Sequence, residues 1–288
     1  MFEPRLPSPV EQLFDERLDR AGVTLRLLRD DLIHPEIPGN KWRKLHLNLA
    51  AAGEAGHSTQ LTFGGAFSNH LRAVAAAGRI FGFTTIGVVR GEEHLPLNPS
   101  LRYAVDQGMT LSYLDRATYR EKRRPSVEAE LRGRWGTFFL IPEGGSNELA
   151  VRGCVPIGAE IGPDADVVCC PVGTGGTLAG LSAGLADHQR AIGFAVLKPG
   201  AFLTAEVEAL QRATFGERVG HWRVAPDYHF GGYARSTPEL AAFIEDFRAR
   251  HGLDLDRVYV AKMLAGIFDL VGSGHFVPGT RLVAVITG

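Results

Sequence analysis

Cysteine is scarce in this chain. There are three residues, Cys154, Cys169 and Cys170, and the last two are adjacent in an apolar run. An odd count so placed argues against a disulfide framework and for buried free thiols in a reducing compartment. An excess of one charge is lacking too. The net formal charge is -1, so electrostatics give no reason to expect nucleic acid or an anionic membrane as a partner. No stretch approaches the ~20 apolar residues that span a bilayer. The first residues, with Pro4, Pro7 and Pro9, contain no apolar signal-peptide core. Internal repeats, low-complexity linkers and metal-ligand clusters are also missing. These absences lead us to expect a soluble cytoplasmic protein.

What is present is alternation. The 288 residues are 45% hydrophobic and 22% charged, which is ordinary for a globular chain of one large or two smaller domains. Strands are predicted over 23–28, 60–63, 85–89, 110–113, 137–141, 165–172, 191–197 and 281–286. Helices are predicted over 41–55, 68–81, 99–107, 149–161, 175–187, 202–215, 238–251 and 261–271. A short amphipathic piece is expected at 10–18, a charged helical region at 118–134, and an irregular aromatic-rich segment at 220–236. The alternation implies an α/β fold with mostly parallel sheets and flanking helices. Two lobes are expected: 1–49 with 136–288 as the larger, and 50–135 as the smaller. A charged helix rather than a flexible linker marks the boundary, so the lobes should pack together. Its basic run at 120–124 reads as a solvated face, because it has no aromatic partners.

Three stretches carry chemistry. In Pro38-Gly39-Asn40-Lys41-Trp42-Arg43-Lys44-Leu45, a lysine sits where a helix starts. The positive end of the helix dipole and the charges of Arg43 and Lys44 favour its neutral, nucleophilic form, which forms Schiff bases with aldehydes. In isolation the same residues read as an ordinary basic first turn. In Pro171-Val172-Gly173-Thr174-Gly175-Gly176-Thr177, between a buried strand and a helix, glycines admit an anion to backbone N–H groups and two threonines add hydroxyl donors. This reads as a phosphate cradle, against the plainer reading of a tight strand–helix turn. It lacks the lysine of a P-loop, and Leu178 stands where a dinucleotide fingerprint has its third glycine, which disfavours a nucleotide-binding module. In Gly64-Gly65-Ala66-Phe67-Ser68-Asn69-His70, Ser68 is a natural N-cap, while Asn69 and His70 add polar groups at the helix start. His70 reads equally as a packed helix histidine or as a functional one. A Schiff-base lysine, a phosphate cradle and a polar helix start in one α/β chain point to pyridoxal 5'-phosphate.

With these motifs, and with Ile141-Pro142-Glu143-Gly144-Gly145-Ser146-Asn147 and Val258-Tyr259 leading into Lys262, the chain resembles the 1-aminocyclopropane-1-carboxylate deaminase / D-cysteine desulfhydrase family. That family is a branch of the fold type II, tryptophan-synthase-β-like pyridoxal-phosphate enzymes. The resemblance spans most of the chain. It implies that Lys41 holds the cofactor covalently and later moves the substrate's proton. It implies that Asn69 contacts the ring hydroxyl and that Gly173, Thr174, Gly175, Gly176 and Thr177 bind the phosphate. Ser68 would lie near the substrate carboxylate and Tyr259 near the reacting carbon, with Tyr233 as a second tyrosine. Aromatic packing is the plain alternative for both tyrosines. A small amino-acid substrate and a homodimer are further implications.

The chain departs from both branches of that family. After the tyrosine, the deaminases carry an acid and the desulfhydrases a hydroxyl residue; here Val260 follows Tyr259. The chain closes on Ile286-Thr287-Gly288, and its threonine leans to the desulfhydrase side. Valine offers the pyridine nitrogen nothing, which leaves Thr287 as its expected partner and a weak electron sink. β-Elimination of a thiol tolerates a weak sink better than opening a cyclopropane does. The expectation is therefore D-cysteine desulfhydrase-like elimination. The alternatives are the deaminase reaction and a cofactor-binding homologue without either activity.

Overall fold

The computed structural model describes residues 4–288. In chain order, β1 (Val10–Leu13), α1 (Glu16–Ala21) and β2 (Thr24–Leu28) lead through a 3-10 turn into α2 (Asn40–Glu54). Then come β3 (Thr59–Gly64), α3 (Asn69–Phe81), β4 (Thr84–Arg90), α4 (Pro99–Asp106) and β5 (Thr110–Leu114). Two helices, α5 (Arg116–Arg120) and α6 (Pro125–Trp135), precede β6 (Phe139–Ile141). After α7 (Glu148–Cys154) and α8 (Pro156–Ile161), β7 (Val167–Val172), α9 (Gly176–Ala183), β8 (Arg190–Ala195), α10 (Phe202–Phe215) and β9 (His221–Ala225) alternate. The chain closes with α11 (Pro238–His251), α12 (Val260–Gly272) and β10 (Arg281–Val285).

The strands form two sheets. Six pair in the order β1-β2-β10-β7-β8-β9, and four in the order β5-β4-β3-β6. Every pairing is parallel except β1 with β2. β7 reads Val-Val-Cys-Cys-Pro-Val and is buried at every position, because apolar clusters cover both faces of the larger sheet. One cluster gathers Leu25, Phe194, Met263 and Ile267, the other Val168, Leu178, Trp222 and Val283. The smaller sheet is sandwiched likewise, between Leu45, Leu71 and Ile141 on one side and Phe63, Tyr119 and Phe138 on the other.

Four local expectations are corrected. The piece expected at 10–18 is a strand and a separate helix, divided where the Asp15 side chain caps α1. The helix expected over 149–161 is interrupted at Pro156, which lacks the N–H needed to continue the ladder. The region 118–134 divides likewise before Pro125. The irregular segment 220–236 contains the edge strand β9, whose pattern of exposed and buried residues gave too short a signal to detect. The three cysteines are free and buried as expected, and burial pushes the thiols of Cys154 and Cys169 up to about 12.

In parallel sheets the strands end, and the following helices begin, on one edge. That geometry brings together the start of α3 after β3, the start of α9 after β7, and the strand end at Arg90. The start of α2 joins them through the last residues of the chain. The Asp31 N–H donates to the Ile286 carbonyl at 2.8 Å, and the Thr287 carbonyl lies against Gly39.

Candidate active site

Gly39 sets the position of Lys41. Its φ is +57°, and a Cβ there would lie 1.9 Å from the Thr287 carbonyl oxygen, so only glycine fits. Two residues on, the Lys41 side chain is buried and its Nζ donates to Asn40 Oδ1 at 2.7 Å. Asn40 Nδ2 in turn donates to Thr177 Oγ1 at 2.9 Å. Burial, and then the nearby Lys44 ammonium, push the Lys41 amine down to about 7. The sequence expectation included Arg43 among the causes, and the structure corrects this. Arg43 points away, its guanidinium held by Asp30 at 2.9 Å and Glu160 at 2.5 Å, with Ser8 Oγ at 2.8 Å.

Lys44 reaches the glycine loop. Its Nζ donates to the Gly144 carbonyl at 3.0 Å and to Ser146 Oγ at 3.3 Å, and lies 3.5 Å from Thr174 Oγ1. Ser146 and Thr174 share a hydrogen bond of 2.6 Å. A Cβ on Gly176 would come within 2.8 Å of Ser146 Oγ and 3.3 Å of Lys44 Nζ. The cradle therefore combines the start of α9, hydroxyls from two loops and one buried cation. Sequence reasoning used Lys44 only as a charge beside Lys41. Its spacing of three residues along one helix already puts both amines on one face.

A cavity of about 200 Å³ joins these parts. Of the residues expected at the site, Lys41, Ser68, Gly173, Thr174, Gly175, Thr177, Tyr233 and Tyr259 line it, and His70 does as well. Asn69, Gly176 and Thr287 are not on its lining. Asn69 is half-buried in the first turn of α3, Gly176 opens α9 behind the loop, and Thr287 is buried beside Gly39. Ser68 caps α3, accepting from the Leu71 N–H at 3.2 Å. His70 Nε2 shares a 2.8 Å hydrogen bond with Thr62 Oγ1, and burial holds its imidazole well below the usual range, hence neutral.

Lys41 Nζ stands 5.8 Å from the Tyr259 ring centre, and the Tyr233 ring meets Tyr259 edge-on at 6.1 Å. Burial raises the Tyr259 phenol well above its ordinary value, so it keeps its proton. Asp256 fixes that tyrosine by accepting its backbone N–H at 2.6 Å. The Lys262 ammonium donates to the Gly232 carbonyl at 2.7 Å and anchors the loop that carries Tyr233. Val260 is buried at the start of α12, in the core cluster of the larger sheet. Arg90 and Glu143 also line the cavity. Glu143 belongs to one of the motifs that carry the resemblance but was given no role, and no local pattern marks Arg90, because it simply ends a strand. Among the described residues, no group of three or more His, Cys, Asp or Glu is arranged to hold a metal ion. No described helix is long and apolar enough to cross a membrane.

Comparison with known proteins bears on this arrangement. A Pyrococcus furiosus protein named "Putative 1-aminocyclopropane-1-carboxylate deaminase" is 34% identical, over 93% of this chain and 85% of the relative. A D-cysteine desulfhydrase of Klebsiella pneumoniae is 28% identical, over 98% of this chain and 91% of the relative. The crystal structure of an ACC deaminase homologue superposes with a TM-score of 0.85 at 28% identity, covering 100% of this chain and 92% of that one. The fold is that of the tryptophan-synthase-β-like, fold type II enzymes. The model of the pyridoxal-phosphate dependent enzymes matches residues 6–288, and it is to this family that a chain with a lysine so placed against a glycine cradle belongs.

Proposed function

We propose that this chain is a pyridoxal-phosphate-dependent lyase or deaminase of small amino acids. Its favoured reaction is the α,β-elimination of D-cysteine to a keto acid, ammonia and sulfide. The observation that carries the reading is the paired placement of Lys41 and Lys44. One buried amine, held near neutrality, faces the cavity, and a second, three residues on, reaches into the cradle. The donor set suits a phosphate ester bearing an aldehyde. A side chain at Gly176 would fill the cradle against Ser146 and Lys44, and the cation, hydroxyls and helix start are what a phosphate needs.

Bound there, pyridoxal phosphate supplies an electron sink for the substrate's α-carbon. The chain's own residues do the rest. The Lys41 amine, with its affinity for protons near pH 7, would hold the cofactor's aldehyde and, when free, would take a proton from the substrate at its Nζ. Ser68, at the start of α3 and on the cavity lining, is proposed for the substrate carboxylate. Tyr259, protonated and on the same cavity lining as Lys41, is the proposed donor to the departing group, and Tyr233 meets it edge-on. Asn69 and Thr287 are proposed for the ring hydroxyl and ring nitrogen. Val260 offers that nitrogen no hydrogen bond, which favours a reaction with a ready leaving group over cyclopropane opening.

The name of the Pyrococcus relative favours a second reading, 1-aminocyclopropane-1-carboxylate deamination. The visible spectrum of the purified protein, before and after each compound, separates the two readings. A yellow protein whose band shifts with D-cysteine, releasing sulfide and keto acid, is the expected result. A shift and keto acid with the cyclopropane compound alone would reverse the assignment, and a band answering neither would mean a homologue without these activities. Lys41→Ala should abolish turnover, and turnover that survives it would sink the mechanism.

A further inference from the structure

Beyond the Lys41 cavity lies a second chamber that the reaction leaves unused. It has a volume of about 480 Å³ and shares Gly65, Arg90, Glu143 and Tyr233 with the first, so the two adjoin. Its lining brings four cationic side chains, Arg90, Arg116, Arg120 and Lys122, against a single carboxylate, Glu143. That carboxylate is already committed. It accepts from Tyr119 Oη at 2.8 Å and pairs with Lys122 at 3.0 Å.

Arg90, Arg116 and Arg120 have no carboxylate partner among the described residues. The basic run expected as a solvated face is thus divided. Arg123 pairs with Glu206 and Arg124 with Glu121, while Arg120 and Lys122 face the chamber. Arg90 holds the junction. It ends β4, lies across the Tyr119 ring at 6.0 Å, and a Cβ on Gly65 would be 3.6 Å from its Nη2. Gly65, Ser68 and Arg90 line one cavity, so an amino acid held by its carboxylate at Ser68 shares that space with the guanidinium.

We infer that, among amino acids able to undergo the elimination proposed above, the enzyme binds those with a second anionic group on the side chain more tightly than neutral ones such as D-cysteine, with Arg90 as the specificity residue and Arg116 and Arg120 as its electrostatic funnel. This rests on the amino-acid reading of the Lys41 cavity. A guanidinium presents a fork that matches a carboxylate or a phosphate ester, and uncompensated charge at a cleft mouth draws anions in.

Calorimetric titration of the cofactor-loaded protein decides it, with O-phosphoserine against serine and aspartate against asparagine, each as both enantiomers. At low salt the anionic member of at least one pair should bind on the order of tenfold or more tightly, as expected for a charge-assisted contact. The pair showing it separates phosphate ester from carboxylate. The preference should fall towards unity in Arg90→Gln, recover in part in Arg90→Lys, and shrink in Arg116→Gln. Equal or weaker binding of both anionic members would overturn the proposal. So would an Arg90→Gln variant that weakens both members of a pair by one factor, since that would put Arg90 at the α-carboxylate. The visible band, read on the same samples, reports the cofactor separately. Its absence would overturn the reading of Lys41, while the calorimetric ratio still decides Arg90.

Discussion

Two lysines three residues apart divide the work of the site. The Lys41 amine is held at about 7 against an ordinary 10.5, chiefly by burial and secondly by Lys44. Between those two values the folded chain binds fewer protons than the unfolded one, so stability from this group rises as pH climbs from about 7 to 10.5 and is lowest below 7. Cofactor-free Lys41→Met should therefore be more stable than the parent at pH 7, by on the order of a few kcal/mol. Its advantage should vanish by about pH 10.5. Denaturant melts across that range check this, and a constant difference would contradict it. Removing Lys44 acts oppositely on its neighbour. In Lys44→Met the Lys41 amine should titrate higher, so the pH midpoint for development of the cofactor's visible band moves up. Affinity for pyridoxal phosphate should fall by roughly tenfold to a hundredfold, the worth of a charge-assisted contact.

Helix α2 carries both lysines on one side and Arg43 on another. The guanidinium is 3% exposed and makes five hydrogen bonds, to Asp30, Glu160 and Ser8. It thereby joins α2 to the turn after β2, to α8 and to the N-terminal segment. Desolvation raises the Asp30 carboxyl, and Arg43 opposes that rise. Arg43→Ala would leave two carboxylates facing each other without a cation, at a cost of about 3–5 kcal/mol. Chemical denaturation should show that loss, and Arg43→Lys should recover only part of it, because an ammonium cannot reproduce the fork. A variant within 1 kcal/mol of the parent would mean that water reaches the pair and the network is not the brace it seems from its burial.

At the scale of the whole molecule, the cavity lies between the two sheets. The glycine loop and Tyr259 come with the larger one, Ser68, His70 and Arg90 with the smaller, and Lys41 with helix α2, which packs against α7 and α3. Tyr233 Oη reaches across to the Phe67 carbonyl at 3.5 Å. A ligand that touches both sides should stabilise the assembly as one unit. Pyridoxal phosphate at a hundred times its Kd is expected to add about 2.7 kcal/mol. For a chain of this size that means roughly 4–5 °C in Tm. Lys41→Ala should show a smaller shift. A Tm unmoved by the cofactor would argue against binding at this site.

Composition and periodicity alone were enough for the alternating α/β architecture, since burial on both faces of parallel strands writes a continuous apolar signal such as that of β7. The candidate lysine, the glycine loop and the serine at the start of α3 were legible for a similar reason, being local motifs whose backbone demands specific residues. Where the signal was short or mixed, as in β1 and β9, it failed. The direction of each side chain could not be read. Arg43 and Lys44 are adjacent in sequence, yet successive residues on a helix point about 100° apart. One therefore meets Asp30 and Glu160 while the other meets Thr174, partners between 13 and 130 residues away. Which cation tunes Lys41, which one completes the cradle, and that Arg90 lines both cavities are matters of long-range packing. Tertiary structure decides them, because only there do side chains distant in sequence come within hydrogen-bonding reach.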